Sequence, residues 1–413
     1  MHKTYYRCFL TPLSPLALSC GAAGRTDSDA LVDSCGRPFL PASSIAGVLR
    51  SRLGEAAGNL LFGTLADDAG HVVQSRVLVY DGTLAPKTKF RRFRRDGVEV
   101  DDHKNTVRGA KYDFEITETA GPYSFILETA DDAAPEIADE LQKLLLSCAR
   151  DELSFGGKTT RGYGRMKLRV EKRTFDLTDS EQMCNWLKFD PMAWEAFYEP
   201  LAADACAAPI LVDAEIELQG SLLVRQYTTE CGGADYSPLE QMNGRAVIPG
   251  TSWAGMFRHR VAQLATQAGC AFDEALLFGE HDTNKPARRS NLAFSETTIS
   301  GGCRITRTRT AIERFTGGAA HGKLYTSTFQ QGGTGRLQIR QLSPMPHGKP
   351  DECAIAEKLL AAVLMDLDNG LLNAGGEGGV GRGILRLKSL RVNGVDVLER
   401  LRRRDLSIFE GRL

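Results

Sequence analysis

RPFLPASSIAGVLRSRL fills residues 37–53, and RAVIPGTSWAGMFRHRV fills residues 245–261. Each is an extended apolar run, a proline, a few small residues, and then a helical stretch carrying two arginines. Pro41 and Pro249 are 208 residues apart, about one domain length, so a duplicated domain is the first expectation.

Landmarks on either side of these stretches recur in the same order. A strand-like start (Tyr5 to Leu18) leads into a Gly-rich acidic loop, the Pro41 segment and a helix from about Ser43 to Leu60, ending in LLFG at residues 60–63. The strand SRVLVYD, a basic excursion, a second helix and the closing run GGKTTRGYGR follow. After Pro249 the same series returns: a helix, LLFG at 276–279, SNLAFSE, a basic excursion, a helix and GGEGGVGRG. Period-2 runs alternating with two helices of period 3.6 predict an α+β protein: two tandem ferredoxin-like, RRM-like units of β-α-β-β-α-β plan. The expected bounds are 1–173 for the first domain, 174–209 for a partly helical linker and 210–413 for the second domain, with basic thumbs at about 82–112 and 296–330. Ser43 or Ser44, and Thr251 or Ser252, are the expected N-caps of the first helices, and all four are candidate RNA contacts.

The bulk properties narrow the function classes. The chain has 413 residues, 42% of them hydrophobic and 25% charged, enough for two folded cores. A net charge of −1 excludes a uniformly basic protein. Local patches must therefore hold any nucleic acid. Residues 87–111 carry nine Lys or Arg against four acids, and residues 285–314 carry seven against two, each a net of +5. Residues 131–152 hold seven acids and two bases, so the near-zero total hides basic lobes and an acidic back. None of the ten cysteines forms a C-x-x-C pair or a zinc spacing, and they read as buried thiols in a reducing, cytoplasmic setting. The apolar start before Cys20 is interrupted by Pro12 and Pro15 and reads as a strand rather than a lipoprotein signal. No apolar run is long enough to span a membrane.

Four groups of residues carry candidate chemistry. The closers pair Gly156 and Gly157 with Gly375 and Gly376; amides without side chains can approach phosphate, or can simply make tight turns. Lys158, Arg161 and Arg382 lie in the same runs. The excursions interleave Arg91, Arg92, Arg94, Arg95, Arg307 and Arg309 with Phe90, Phe93 and Phe315, as where bases stack and phosphates are neutralised; solvated hairpins are the alternative. On the first helices Arg50 and Arg52 match Arg258 and Arg260, either reaching phosphate beside Gly47 and Gly255 or forming capping ion pairs. The acidic loops share one carboxylate, since Asp27 and Asp235 both precede their proline by 14 residues. Each could bind a divalent metal or deprotonate a ribose 2′-OH, or could close an Asx turn. His103 and His321, without partner acids, read as surface residues.

Together the PFLPASSIAGVLRSRL and AVIPGTSWAGMFRHRV segments, the LLFG pairs, the excursions and the closing glycines resemble the repeat-associated (RAMP) superfamily. The nearest likeness is to the backbone subunits of type III CRISPR effector complexes. The doubled pattern is similar to the fused subunits of type III-D and III-E systems. That resemblance implies palms that bind guide RNA and target single-stranded RNA. It also implies thumbs that displace a nucleotide at intervals, and neighbouring RAMP and small subunits as partners. Asp27 and Asp235 fall where the family's target-cleaving aspartate lies, which implies Mg or Mn and a cut leaving a 2′,3′-cyclic phosphate and a 5′-hydroxyl. In such machines base pairing reads the sequence and the protein reads backbone and shape. A non-catalytic spacer subunit and a stand-alone guide-processing nuclease are the competing expectations.

Overall fold

The computed structural model describes all residues except 1, 22, 23, 25, 65–71, 101–105, 130–134, 189, 191–198, 202–209, 228–233, 281–286 and 344–349. The chain divides into two compact units, one made of Met1–Gly97, Tyr112–Thr159 and Tyr163–Ala208, the other of Val98–Lys111, Thr160–Gly162 and Pro209–Leu413.

The first repeat in sequence comprises β1 (His2–Pro12), α1 (Ala42–Arg50), α2 (Glu55–Phe62), β2 (Val77–Val79), β3 (Phe90–Val100), β4 (Thr106–Thr119), β5 (Tyr123–Thr129), α3 (Pro135–Arg150) and β6 (Arg165–Asp176). Its sheet runs β2, β5, β1, β6, with the short strand Glu152–Ser154 beyond β6. Strand β1 is antiparallel to both neighbours, Cys8 lying opposite Phe125 on one side and Val170 on the other. The second unit repeats the plan with β7 (Val212–Leu218), α4 (Gly250–Gln267), α5 (Ala275–Phe278), β8 (Leu292–Phe294), β9 (Cys303–Ile312), β10 (Ala319–Gln331), β11 (Thr334–Gln341), α6 (Pro350–Asp368) and β12 (Leu385–Val392). Its order is β8, β11, β7, β12. In both units the second and third sheet strands are separated in sequence by a ribbon, β3 with β4 and β9 with β10.

Strand patterning explains where the cores form. In β7 (VDAEIEL) Val212, Ala214, Ile216 and Leu218 are buried and the acids between them are not, the alternation of a sheet with one face covered. They pack with Trp253 and Phe257 of α4 and Leu360 and Leu364 of α6, each side chain contributing about 1.5–3 kcal/mol. Strand β1 does not alternate, because Tyr5, Tyr6, Arg7 and Cys8 are all buried. Tyr6, Cys8 and Leu10 meet the helices. Tyr5 meets Phe175, Ile126 and Trp186 on the opposite face. Trp186 belongs to a helix, Ser180–Leu187, whose N-cap Asp179 accepts from the amides of Glu181 and Gln182. The Trp186 indole donates to the Tyr5 hydroxyl at 2.8 Å. Within the segment expected as a partly helical linker, β6 continues to Asp176 and residues 180–187 form a helix that packs on the first sheet.

Two further corrections concern the first helices. The expected single helix from Ser43 to Leu60 breaks at residues 51–54, whereas α4 runs unbroken for 18 residues. The N-caps are Pro41 and Pro249, and neither is helped by a side chain. The Pro41 carbonyl accepts from the amides of Ser44 and Ile45, so Ser43 and Ser44 already sit in the first turn. Thr251 and Ser252 lie in the same place after Pro249. The Ala42 amide instead donates to Asp81 at 2.7 Å.

Candidate nucleic-acid interface

Both candidate carboxylates are exposed and are held the same way. The Asp27 Oδ2 atom accepts from the Asp113 amide at 3.0 Å, and the Asp27 amide donates to the Asp113 carboxylate at 2.8 Å. In the second unit Asp235 Oδ2 accepts from the Thr326 amide at 2.8 Å while the Asp235 amide donates to the Thr326 carbonyl at 2.9 Å. Asp113 and Thr326 occupy corresponding places on β4 and β10, each one residue after a tyrosine. Each acidic loop is thus stitched to the long ribbon strand at its aspartate. Asp29, by contrast, is buried and spends its Oδ1 on the amide and hydroxyl of Thr26.

The closing glycines are explained by backbone packing. Gly164 and Gly383 have φ of +70° and +77°, and a Cβ on either would overlap the carbonyl oxygen of Phe155 or Ala374. Their amides donate at 2.7 Å to Pro15 and Ser221 in the stretches that leave the first strands. Gly157 and Gly376 donate to the carbonyls of Ala17 and Leu223 at 2.7 and 2.8 Å. These amides are therefore used inward, correcting the expectation that Gly157 and Gly376 offer theirs to phosphate. Gly156 and Gly375, at φ of +75° and +78°, press on the same two carbonyls.

The residue after each glycine pair is where the units part. Lys158 and Glu377 both adopt the left-handed conformation, with φ of 55° and 59°. The Lys158 ammonium lies 4.5 Å from the centres of both the Tyr112 and Phe114 rings, which stack at 6.0 Å. It borders a cleft of about 270 Å³ reaching Ala17, Ser28 and Glu115. Glu377 instead pairs with Arg225 at 3.6 Å, Arg309 at 3.5 Å and Arg382 at 2.6 Å.

The remaining basic residues sort by what they already hold. Arg382 is buried, stands 3.7 Å over the Phe329 ring and also donates to Ser221, so it already fastens the closing loop. Arg95 is buried too, which takes it away from any phosphate. The helix arginines follow the capping alternative. Arg50 donates to the carbonyls of Gly58 and Gly63, Arg52 pairs with Asp151 at 2.7 Å, Arg258 with Glu274 at 3.5 Å, and Arg260 with buried Asp366 at 2.7 Å. Arg92 faces Glu115 at 3.9 Å, and Arg94 pairs with Asp113. Arg91 is exposed, 4.5 Å over Phe93, and Arg307 is exposed, 5.8 Å from Phe329. Arg161 ends a short 3₁₀ turn and is half-buried. Arg50→Ala is expected to cost about 1–3 kcal/mol by unfastening α1 from the end of α2, lowering the urea midpoint while leaving RNA affinity unchanged.

His321 is exposed, and His103 lies outside the described residues, as do Cys206 and Cys231. Burial pushes the Cys8 thiol well above its ordinary value and Cys148 up to about 11, so neither is a ready nucleophile. Among the described residues no three His, Cys, Asp or Glu side chains converge as metal ligands.

A family model described as the RAMP superfamily matches residues 9–167 and 230–386. The chain belongs to the RAMP superfamily. Its two matched stretches fall one in each structural repeat, and each includes its own aspartate, ribbon and glycine loop. Two cryo-EM structures share the likeness in part: type III-B Cmr-beta bound to cognate target RNA, and type III-B Cmr-beta in the apo state. Each aligned chain is 12% identical with a TM-score of 0.33, covering 41% of this RAMP chain and 97% of the other. No curated protein matches the chain.

Sequence reasoning passed over Glu377, Arg225 and Asp113. The first had a visible signal, a GGK run aligned with a GGE run. Asp113 had none, because only the fold brings it to Asp27 across 86 residues.

Proposed function

We propose that this RAMP chain is a backbone subunit of a type III CRISPR effector complex that binds guide RNA in the cytoplasm and cuts paired target RNA at Asp27 and Asp235. Its partners are the guide RNA, the single-stranded target RNA, and other RAMP and small subunits. The strand orders support reading each unit as a ferredoxin-like palm, the ribbons as its thumbs and the doubling as a III-D or III-E-like fusion. The observation that carries the catalytic part is the shared geometry of the two aspartates: in each, one oxygen is fixed by a ribbon amide and the carboxylate stays exposed.

In the cut, the 2′-oxygen bonds to the adjacent phosphorus as the P–O5′ bond breaks. The 2′-OH proton passes to the aspartate, and the leaving 5′-oxygen takes a proton from water. The products are a 2′,3′-cyclic phosphate and a 5′-hydroxyl. Among the described residues no three candidate ligands gather at either aspartate, too small a donor set for a resident metal site. Mg or Mn would have to arrive with RNA phosphate and water.

A structural, non-cleaving subunit is the second reading, favoured by the amide bonds that give each aspartate a loop-fixing role. Purified complex separates RNA binding from its absence: co-purifying RNA of defined length supports the reading, and nucleic-acid-free protein opposes it. Arg91→Ala and Arg307→Ala are each expected to reduce the salt slope of RNA binding by about 0.7, the contribution of one phosphate on a single strand. A titration of binding against salt measures it, and unchanged slopes would remove the ribbons from the interface.

A further inference from the structure

Lys158 and Glu377 hold one position in two copies of one loop with opposite charge. A non-glycine residue in the left-handed region costs about 1–2 kcal/mol, so both loops sustain strain to aim a charged side chain at this spot. In the first unit the charge is a cation set over two rings at the edge of a cleft. In the second, three guanidiniums converge on one carboxylate, leaving two positive charges in excess.

The three pairs around Glu377 are not alike. Arg382 is buried and held at 2.6 Å, whereas Arg225 and Arg309 are 37% and 44% exposed and held loosely at 3.6 and 3.5 Å. Arg225 also lies 4.6 Å over the ring of Tyr236, the neighbour of Asp235. On β9 the residues Arg307 and Arg309 share one face, while Thr306 and Thr308 pair with Thr328 and Thr326 at 2.8 and 3.0 Å. The exposed arginines of this ribbon therefore rise on the side of Glu377. Two forked donors around an oxyanion, close to the candidate Asp235, have the chemistry of a phosphodiester site.

We propose that Glu377 is a built-in stand-in for an RNA phosphate: its carboxylate holds Arg225 and Arg309 until a backbone phosphate of a bound single strand displaces it, whereas Lys158 takes a phosphate directly. The second unit accepts RNA only after releasing its own carboxylate, and the two units engage the strand with unequal ease. This rests on the reading that the chain binds RNA, and the test separates the two.

The test measures binding of a fluorescent oligouridylate to the full chain across salt concentrations. Glu377→Gln keeps an oxygen for Arg382 and is expected to tighten binding about three- to tenfold at low salt, with a lower melting temperature because buried Arg382 loses its counter-charge. Lys158→Gln is expected to weaken it by a similar factor and to lower the slope by one phosphate. Adding Arg309→Ala to Glu377→Gln should erase the gain. Equal or weaker binding by folded E377Q, or a gain that survives in the double variant, would overturn the proposal. If E377Q fails to fold, Arg309→Ala alone decides: weaker binding supports the site, and unchanged binding removes it. A parent chain that binds no oligouridylate defeats the RNA-binding reading and this inference with it.

Discussion

Asp27→Ala, introduced into the assembled complex, is expected to erase one defined cut from the ladder of target-RNA fragments and to leave the cut that depends on Asp235. The reciprocal loss is expected for Asp235→Ala. Removing a positioned proton acceptor costs about 10²–10⁴ in rate, which on a gel is disappearance. The substitution also takes away the bond from the Asp113 amide, and for Asp235 the bond from Thr326. Local loosening must therefore be separated from lost chemistry. Asp27→Asn does this, because its side-chain oxygen still accepts from the amide while the group no longer takes a proton. Abolished cutting in both the Ala and Asn variants, with guide-RNA content unchanged, supports catalysis. Full cutting by Asp27→Asn would leave the carboxylate with only its loop-fixing role.

Gly164→Val should carry the largest stability penalty of any single substitution considered. At φ of +70° a β-branched residue is strained, and its Cβ would overlap the Phe155 carbonyl. The shift needed would also pull the Gly164 amide from Pro15 and its carbonyl from the Phe155 amide, bonds of 2.7 and 2.9 Å. Strain of about 1–3 kcal/mol plus about 1 kcal/mol per lost bond gives roughly 3–5 kcal/mol. That is a large fraction of a domain's stability. Chemical denaturation of the full chain followed by fluorescence checks it, and Gly383→Val should behave alike in the second unit. A change below 1 kcal/mol would mean the closers tolerate side chains and are not packing devices.

The repeat was legible because duplication prints the same local constraints twice. Proline before a helix, LLFG with its glycine cap and the closing glycines each answer to short-range backbone geometry. Gly63 and Gly279, for instance, take φ of 74° and 72° as helix C-caps. What sequence hid was tertiary. The arginines at 50, 52, 258 and 260 recur at equal spacing, yet their partners, among them Asp151 and Asp366, come from other elements. A charged residue matched between repeats reads equally as a phosphate contact or a fastening until the fold shows what it holds. The break at residues 51–54 was hidden because it has no counterpart in the unbroken helix of the other copy, and the helical character of 174–209 was legible without showing that residues 180–187 pack on the first sheet.

The helix at 180–187 leaves the two halves with different freedom to diverge. With Trp186 seated on Tyr5, β1 is enclosed on both sides, and most changes along it disturb one packed layer or the other. Strand β7 keeps Asp213, Glu215 and Glu217 outside its core, so every second position can accept new side chains at little thermodynamic expense. The first half thus has little room for change along its central strand, whereas the second keeps a face on which new contacts can be made.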